Sequence, residues 1–282
     1  MTTFRSLLDN ARAHQSAIGS FNVVLLEHAE AIAGGAAAAG TPVIFQISEN
    51  CIGYHGGLKP ILAATQAIGR DLPVQALVHL DHITDVDMIR QGVDLGVDSV
   101  MFDGAHLSFV DNVSTTAQVV EICHRAGVGV EAELGVIGGK NGVHAPGVRT
   151  NPFEAAAFVG DTGVDALAVA VGSSHAMQQR TAQLDIDLIN DIARAVPVPL
   201  VLHGSSGVSD DDLSAAVASG MAKINISTHL NGLFTRAIRE VLQADSELTD
   251  PRKYIAPARA AVVTETARLL TILRSGPLPP RG

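Results

Sequence analysis

The sequence predicts an α/β fold, a closed (β/α)8 TIM barrel with an additional C-terminal helix. Short apolar runs alternate with helical patterns eight times along the 282 residues, which favours a parallel sheet. The apolar runs are nearly continuous, as is typical of strands that are covered on both faces. With 47% hydrophobic residues, the chain has the length and composition of one barrel-sized domain, which we place at residues 1–282.

The eight predicted strands recur at the spacing of a repeated strand–helix unit, which is why we favour a barrel. Eight such units in one domain are the number that a closed barrel of this type needs. The predicted strands are residues 17–24, 41–48, 73–82, 98–104, 128–135, 165–173, 199–207 and 221–228.

Helical patterns fill the segments between these strands. Several open on Thr, Asn or Ser and end on Gly, which are preferred capping residues. A further helix is predicted after the segment 250–259. A doubly wound open sheet is the alternative fold, but the G-x-G-x-x-G that usually follows its first strand is absent. The clearest helical patterns are residues 26–40, 84–96, 151–163 and 209–220.

The charge of the chain narrows the classes of partner. A formal net charge of −10 without a Lys/Arg cluster argues against nucleic acid and anionic membranes. A small anionic substrate remains compatible with this charge, because backbone amides can bind phosphate.

Cys51 and Cys123 lack disulfide or metal-ligand spacing, which suits a reducing compartment. With no visible signal peptide or membrane span, we expect a cytoplasmic protein.

Polar side chains gather at the carboxyl ends of the predicted strands, the face where barrel enzymes carry their catalytic groups. His82, His175 and His203 come from three strands and could converge on one point. Three neutral imidazoles with one open position are typical of a catalytic Zn²⁺ site. A lone buried histidine is more often a core residue, and only the clustering favours a metal. The clustered residues are Asn22, Gln46, Ser48, His79, Asp81, His82, Asp103, Glu131, Glu133, His175, His203 and Asn225.

Two Gly/Ser/Thr-containing turns follow the last two predicted strands. They read "HGSSGVSD" at 203–210 and "NISTHL" at 225–230. Each alone could be an ordinary capped turn before a helix. In barrels, however, the loops after strands seven and eight commonly bind phosphate through backbone N–H groups and hydroxyls. Together they predict a phosphate site.

These motifs make the sequence similar to the class II, metal-dependent ketose-bisphosphate aldolases, which act on fructose or tagatose 1,6-bisphosphate. The resemblance extends over nearly the whole chain. It rests on "FNV" (21–23), "HLDH" (79–82), "SVMFDGAHLSF" (99–109), "VEAELGVIGG" (130–139), "TGVDALAVAVGSSH" (162–175), "PLVLHGSSG" (199–207), "AKINIST" (222–228) and "DPRKYIAPAR" (250–259).

The resemblance implies roles for the residues around the metal. It implies that His82, His175 and His203 hold Zn²⁺ and that Glu133 is an alternate ligand. Asp81 would be the acid/base for the C4 hydroxyl of a ketose 1-phosphate, which is cleaved to dihydroxyacetone phosphate and an aldehyde. His79 would orient a neighbour or simply pack, and Glu131 would be structural.

The same resemblance implies a binding site for the substrate. Gly204, Ser206, Ser227 and Thr228 would bind the 1-phosphate, and Asn225 the enediolate. Arg180 is the cation available in the stretch "HAMQQR", where the family often has HG-x-Y-K. The family also binds Na⁺ or K⁺ nearby, but His229 stands where an acid is usual. Asn22 and Ser48, at the ends of the first two strands, complete the expected substrate-binding set.

Two further residues are expected to act at the substrate. Arg259 matches a family arginine that reaches the distal phosphate from a neighbouring subunit, so a homodimer or homotetramer is implied. A surface salt bridge is the alternative role for Arg259. The segment 138–152 lacks the family's mobile glutamate, and His144 is its only side chain that titrates near neutrality. His144 or water would therefore protonate C3.

Three functions remain open at this stage. A lyase acting on a ketose 1-phosphate with an anionic C6 group, such as a phosphate or a sulfonate, is favoured. A different metal-dependent barrel hydrolase would usually carry H-x-H on the first strand, where this chain has "FNV". A non-catalytic paralogue that binds sugar phosphate is the third alternative, and Asp81 with three candidate ligands argues against it.

Overall fold

Eight parallel strands close into a barrel in chain order, with the last strand paired to the first. The computed structural model describes residues 3–134, 149–175, 177 and 179–274. The predicted TIM barrel is confirmed, and the open sheet is wrong because Ile18 to Phe21 pair with Lys223 to Ile226. The strands are β1 (Ile18–Asn22), β2 (Val43–Ser48), β3 (Ala76–Ile83), β4 (Ser99–Phe102), β5 (Gly129–Glu133), β6 (Ala166–Ala168), β7 (Leu200–Leu202) and β8 (Met221–Ile226).

Helices cover the outside of the barrel, and their ends carry the predicted caps. Asn151 accepts hydrogen bonds from the backbone N–H groups of Phe153 and Glu154, and Gly163 ends the same helix in the left-handed region. The helices are α1 (Phe4–Ala13), α2 (Leu26–Ala39), α3 (Glu49–Tyr54), α4 (Leu58–Arg70), α5 (Val86–Asp94), α6 (Phe109–Arg125), α7 (Pro152–Thr162), α8 (Ile186–Ala195), α9 (Asp210–Ala218), α10 (Thr228–Ala244) and α11 (Pro251–Arg274).

The additional C-terminal helix is present but begins earlier than predicted, at Pro251 rather than after residue 259. Proline fits the first helical position because its missing N–H would have no partner there. The helix packs along α2 at a glycine. A Cβ added at Gly35 would lie 2.6 Å from the Cβ of Thr266, so glycine permits this close approach.

Helix α1 fills the N-terminal end of the barrel. Phe4, Leu7 and Leu8 form an apolar cluster with residues near the strand starts, such as Ile18 and Ile44. The ring of Phe4 also stacks on the imidazole of His79 at 5.7 Å between centroids. This end of the barrel is therefore packed with apolar side chains, and the polar groups face the opposite end.

The two cysteines are buried and free. Burial raises the pKa of the Cys51 thiol to about 11 and, with the nearby Asp165, that of Cys123 to about 12. Both thiols are therefore protonated near neutral pH and are poor nucleophiles. No helix in the described ranges is long and apolar enough to cross a membrane.

Candidate active site and metal centre

Strand β3 bends at its carboxyl end and thereby directs His82 into the barrel mouth. Its register with β4 shifts between Leu80 and Ile83, so this stretch contains a bulge or similar irregularity. His82 has φ of 53°, a left-handed conformation that is rare for a non-glycine residue. Strained backbone of this kind clusters at functional sites. The "HLDH" motif therefore bends where its last histidine enters the site.

Three histidines and one carboxylate converge at the carboxyl ends of the strands. The ring centroid of His82 lies 5.1 Å from that of His175 and 4.8 Å from that of His203. Glu133 joins them, and one potential ligand atom from each of the four lies within 4.8 Å of the others. The strand-end prediction for these residues thus agrees with the geometry. Three imidazole nitrogens and one carboxylate oxygen suit Zn²⁺.

Hydrogen bonds fix which nitrogen atoms face the centre. The Nε2 atom of His203 lies 2.8 Å from Glu131 Oε1, and the Nδ1 atom of His82 lies 2.8 Å from Asp103 Oδ2. The Nδ1 atom of His203 is buried and has no hydrogen-bond partner in the described ranges. A lone pair buried without a donor is costly unless a ligand such as a metal uses it. The donor set therefore fits a metal.

The electrostatics favour a neutral imidazole at His203. Burial holds its pKa well below the usual range, and the charges of His82 and His175 lower it further. A neutral imidazole keeps the lone pair that a metal requires. The carboxylate of Glu133 supplies negative charge 3.6 Å from the His203 Nδ1 atom. The site thus combines neutral nitrogen donors with an anionic oxygen donor.

A buried ion pair lies directly behind the histidines. Lys223 and Glu131 are fully buried, and the Lys223 Nζ atom lies 2.8 Å from Glu131 Oε2. His79 faces the same carboxylate at 3.9 Å and contacts the Ser99 hydroxyl through its Nδ1 atom at 2.8 Å. Lys223 was absent from the predicted site, although a lysine inside the apolar run "MAKINI" is the signal that could have identified it.

Lys223→Met is expected to lower the free energy of unfolding by about 3–5 kcal/mol, because it leaves Glu131 buried without its cation. Urea denaturation followed by circular dichroism measures the change. Lys59→Met removes an exposed lysine of α4 and should change stability by less than about 0.5 kcal/mol. Equal effects of the two substitutions would contradict a structural role for the ion pair.

Asp81 is held by a chain of hydrogen bonds from the first two strands. The Asn22 side-chain amide donates to Asp81 Oδ2 at 3.0 Å, and Gln46 donates to Asn22 Oδ1 at 3.2 Å. Ser20 in turn donates to the Gln46 side chain. These bonds orient the carboxylate and account for the polar residues at the strand ends.

The other oxygen of Asp81 faces the metal centre. Its Oδ1 atom is buried, lies 4.0 Å from His82 Nε2, and has no hydrogen-bond partner in the part of the chain that the structure describes. Burial on its own raises the pKa of Asp81. The charges of His82, His203 and Lys223 outweigh that effect and bring the pKa below the usual value, with help from the Asn22 hydrogen bond. Asp81 is therefore ionised and able to accept a proton.

The two predicted phosphate turns lie side by side. The Ser206 hydroxyl oxygen accepts hydrogen bonds from the backbone N–H groups of Ser227 at 3.3 Å and His229 at 3.1 Å. Its own proton is then available to a ligand. Gly204 has φ of 67°, and a Cβ there would lie 2.6 Å from the Ser174 carbonyl carbon. Glycine is thus required for the turn to pack.

The remaining predicted residues of this region occupy different surroundings. Thr228 is the first residue of α10, and Asn225 in β8 is largely buried with its Oδ1 atom lacking a partner among the described residues. Ser48 caps α3 by accepting from the Cys51 N–H at 3.3 Å. In register, Ser48 lies beside Asp81.

The two predicted arginines are both ion-paired within the chain. Arg180 donates to the Val208 carbonyl at 2.6 Å and pairs with Asp210 at 2.5 Å. Arg259 on α11 pairs with Glu30 on α2 at 2.5 Å, and both are partly exposed. Either arginine would have to exchange this partner to bind a phosphate.

His229 and His144 are the two remaining histidines that the sequence indicated near the substrate. His229 contacts Glu265 of α11 through Nε2 at 2.7 Å, which shows how a histidine is accommodated where an acid was expected. Despite burial, which raises the pKa of Glu265, hydrogen bonds from Arg268 and His229 bring that pKa to about 2. His144 lies outside the described residues.

This geometry defines a TIM barrel with a histidine-lined candidate metal site at the carboxyl ends of its strands. The sequence profile of the class II fructose-bisphosphate aldolases matches residues 2–276. The chain therefore belongs to the class II fructose-bisphosphate aldolase family and is a class II aldolase.

Solved structures agree with this assignment. The YdjI aldolase from Escherichia coli K12 is 30% identical, with a TM-score of 0.85 and 98% of each chain covered. A protein from Coccidioides immitis, provisionally identified as a fructose-1,6-bisphosphate aldolase, is 29% identical, with a TM-score of 0.88, covering 98% of this chain and 97% of that one. A fructose-bisphosphate aldolase from Campylobacter jejuni, 22% identical over 96% of this chain and 95% of that one, has a TM-score of 0.78 and supports the fold alone.

Proposed function

We propose that this enzyme is a zinc-dependent aldolase that reversibly cleaves a ketose 1-phosphate to dihydroxyacetone phosphate and an aldehyde. The observation that carries the proposal is the convergence of His82, His175, His203 and Glu133, with Asp81 beside them. Class II aldolases are generally zinc-dependent, and this donor set suits zinc. We further propose an anionic group at C6 of the ketose, either a phosphate or a sulfonate.

In this proposal, Asp81 exchanges the proton of the C4 hydroxyl. In the cleavage direction its carboxylate accepts that proton, the C4 oxygen becomes the aldehyde carbonyl, and the C3–C4 bond breaks. The bond's electron pair moves onto the C2–C3 unit of the phosphorylated fragment. The Asn22 hydrogen bond holds the carboxylate in one orientation during this transfer. A zinc ion held by the four converging residues would supply positive charge to the C2 oxygen as it becomes negative.

The phosphate turns would hold the C1 end of the substrate. In this proposal, Ser206 donates its hydroxyl proton to a phosphate oxygen, because its lone pairs already accept two backbone N–H groups. The N-terminus of α10 at Thr228 adds the favourable end of a helix dipole. Gly204 and Ser227 complete this cradle, while Asn225 contacts the oxygens at C2 and C3.

The test is an assay of triose-phosphate release from a panel of ketose 1-phosphates, with zinc analysis of the same protein. Zinc bound at one ion per chain and cleavage abolished by a chelator are expected. Binding without turnover on the whole panel would instead support a non-catalytic sugar-phosphate-binding protein. Phosphate-ester hydrolysis would support a barrel hydrolase.

Two further proposals have their own tests. A response of activity to added K⁺ or Na⁺ tests the proposed monovalent cation. Cell fractionation tests the proposed cytoplasmic location.

Arg259→Ala is expected to raise KM roughly 10- to 100-fold for a substrate with an anionic C6 group, the loss of one charge-assisted contact. The proposal is that Arg259 leaves Glu30 and reaches the site of a neighbouring subunit in a homodimer or homotetramer. KM for a substrate with a neutral end should change little. Arg252→Ala, on the same helix and paired with Asp250, is the matched control. Equal changes for both substrates would remove Arg259 from the site.

His144→Ala is expected to slow exchange of the C3 proton of dihydroxyacetone phosphate with solvent deuterium, because His144 is proposed to protonate C3. The exchange is followed by nuclear magnetic resonance, with zinc content and phosphate binding measured in parallel. Both should stay unchanged. If the exchange rate also stays unchanged, then water or another group performs this step.

A further inference from the structure

Helices α2 and α10 border a groove that meets the proposed substrate site only at Thr228. Its inner part is a cavity of about 310 Å³ lined on one side by His28 and on the other by Arg239. A second cavity of about 500 Å³ adjoins it along α10 and extends to Thr228. Asn231, Thr235 and Arg239 line both cavities, so the two form one continuous groove. Its volume lies in the range of small-ligand sites.

His28 lines the inner cavity and carries a buried hydrogen-bond donor. Its side chain is 4% exposed, and its Nδ1 atom accepts a hydrogen bond from the Leu25 N–H at 3.3 Å. Burial lowers the pKa of His28, so the ring is neutral and its proton must be on Nε2. That Nε2 atom is buried and has no hydrogen-bond partner in the described ranges. A buried N–H without an acceptor indicates a missing partner.

The cations of the groove lack carboxylate partners. Arg236 and Arg239 stand three residues apart on one face of α10, and neither is ion-paired with any residue that the structure describes. Elsewhere Arg180, Arg259 and Arg268 all contact acids. The groove thus carries two guanidinium groups in a protein whose net charge is −10.

The chemistry of the groove selects the ligand. Guanidinium groups and the Nε2–H of His28 only donate hydrogen bonds, so the complementary group only accepts them. A carboxylate or a phosphate meets that requirement, and arginine binds both through its fork of N–H groups. Asn231 and Thr235 add polar groups that could orient such a ligand.

We propose that this groove is a second anion-binding site, in which His28 and Arg239 hold a small free carboxylate or phosphate. It is separate from the two phosphate turns, although it reaches the first residue of α10 that belongs to one of them. A carboxylate from a second copy of this chain has the same chemistry, and the experiment separates the two sources.

The test is calorimetric titration of the zinc-loaded full chain with inorganic phosphate. Two classes of site are expected in the wild type, and in Ser206→Ala the groove site should persist. Arg239→Gln should weaken the groove site at least tenfold, and His28→Phe, which keeps a ring beside Phe234, should do the same. Arg194→Gln removes an exposed arginine of α8 and should leave phosphate binding unchanged.

Several outcomes would overturn the proposal. Identical titrations of wild type and Arg239→Gln would place all phosphate at the catalytic turns. Equal weakening of phosphate binding by Arg194→Gln would show that the effect comes from the overall charge of the protein and not from the groove. Absence of a second class of site, combined with a lower molar mass of Arg239→Gln in light scattering, would assign the groove to a partner chain. Arg239 is exposed, so its variant carries the test even if His28→Phe does not fold. The titration measures phosphate binding in the groove whether or not any ketose phosphate is cleaved.

Discussion

His203→Ala is expected to remove zinc from the protein and to reduce aldol cleavage by roughly three orders of magnitude or more. A metal contributes several kcal/mol of charge stabilisation, and each 1.36 kcal/mol is a factor of ten in rate. His203 supplies a buried, neutral nitrogen aimed at the centre. Metal analysis of the purified variant, with activity measured in parallel, checks the result.

The control for this substitution is His124→Ala. His124, in the last turn of α6, is a partly exposed histidine that contacts Asp165, the residue just before the amino end of β6. The zinc content and activity of the His124→Ala protein should match those of the wild type. Circular dichroism establishes that both variants are folded. Full zinc occupancy in a folded His203→Ala protein would refute the assignment of this ligand.

Asp81→Asn is expected to lower turnover by roughly 10²–10⁴-fold, the usual contribution of a positioned acid/base. Asparagine preserves the shape of the side chain and can still accept the hydrogen bond from Asn22, so zinc content and substrate KM should change little. Single-turnover measurement of triose-phosphate release gives the chemical step directly. Asp87→Asn, a highly exposed carboxylate of α5, is the matched control. Near-normal turnover in Asp81→Asn would assign the proton transfer to another group.

The barrel was predictable because its strands are buried on both faces and therefore consist of apolar runs. The predicted strands were longer than the observed ones for a physical reason. The polar residues that end them, such as Asp103 and His203, lie just beyond the hydrogen-bonded ladder of β4 and β7. The start of α11 was predicted too late along the chain, because the structure accommodates both Pro251 and Pro257 within one helix.

The clustering of His82, His175, His203 and Glu133 could be predicted because parallel strands bring their carboxyl ends to one rim, whatever their separation along the chain. The contacts that support this cluster could not be predicted from the sequence. Lys223 and Glu131 lie 92 positions apart, and nothing in either local sequence specifies that they meet. The left-handed backbone of His82 was equally invisible, since it follows from the shift in register between β3 and β4. The ion pair of Arg180 depends on Asp210, which comes from a different strand–helix unit.

The buried charges at the barrel mouth connect metal supply to folding. Four buried carboxylates, those of Asp81, Asp103, Glu131 and Glu133, accompany a single buried ammonium group, that of Lys223, within the described ranges. Assembling this surplus of negative charge in a region of low dielectric opposes closure of the barrel. A divalent cation held by the proposed ligands would offset the surplus and bind the folded chain in preference to the unfolded one, so it would stabilise the fold by mass action. With zinc bound as proposed, the stability of the barrel would therefore depend on how much metal the cell provides.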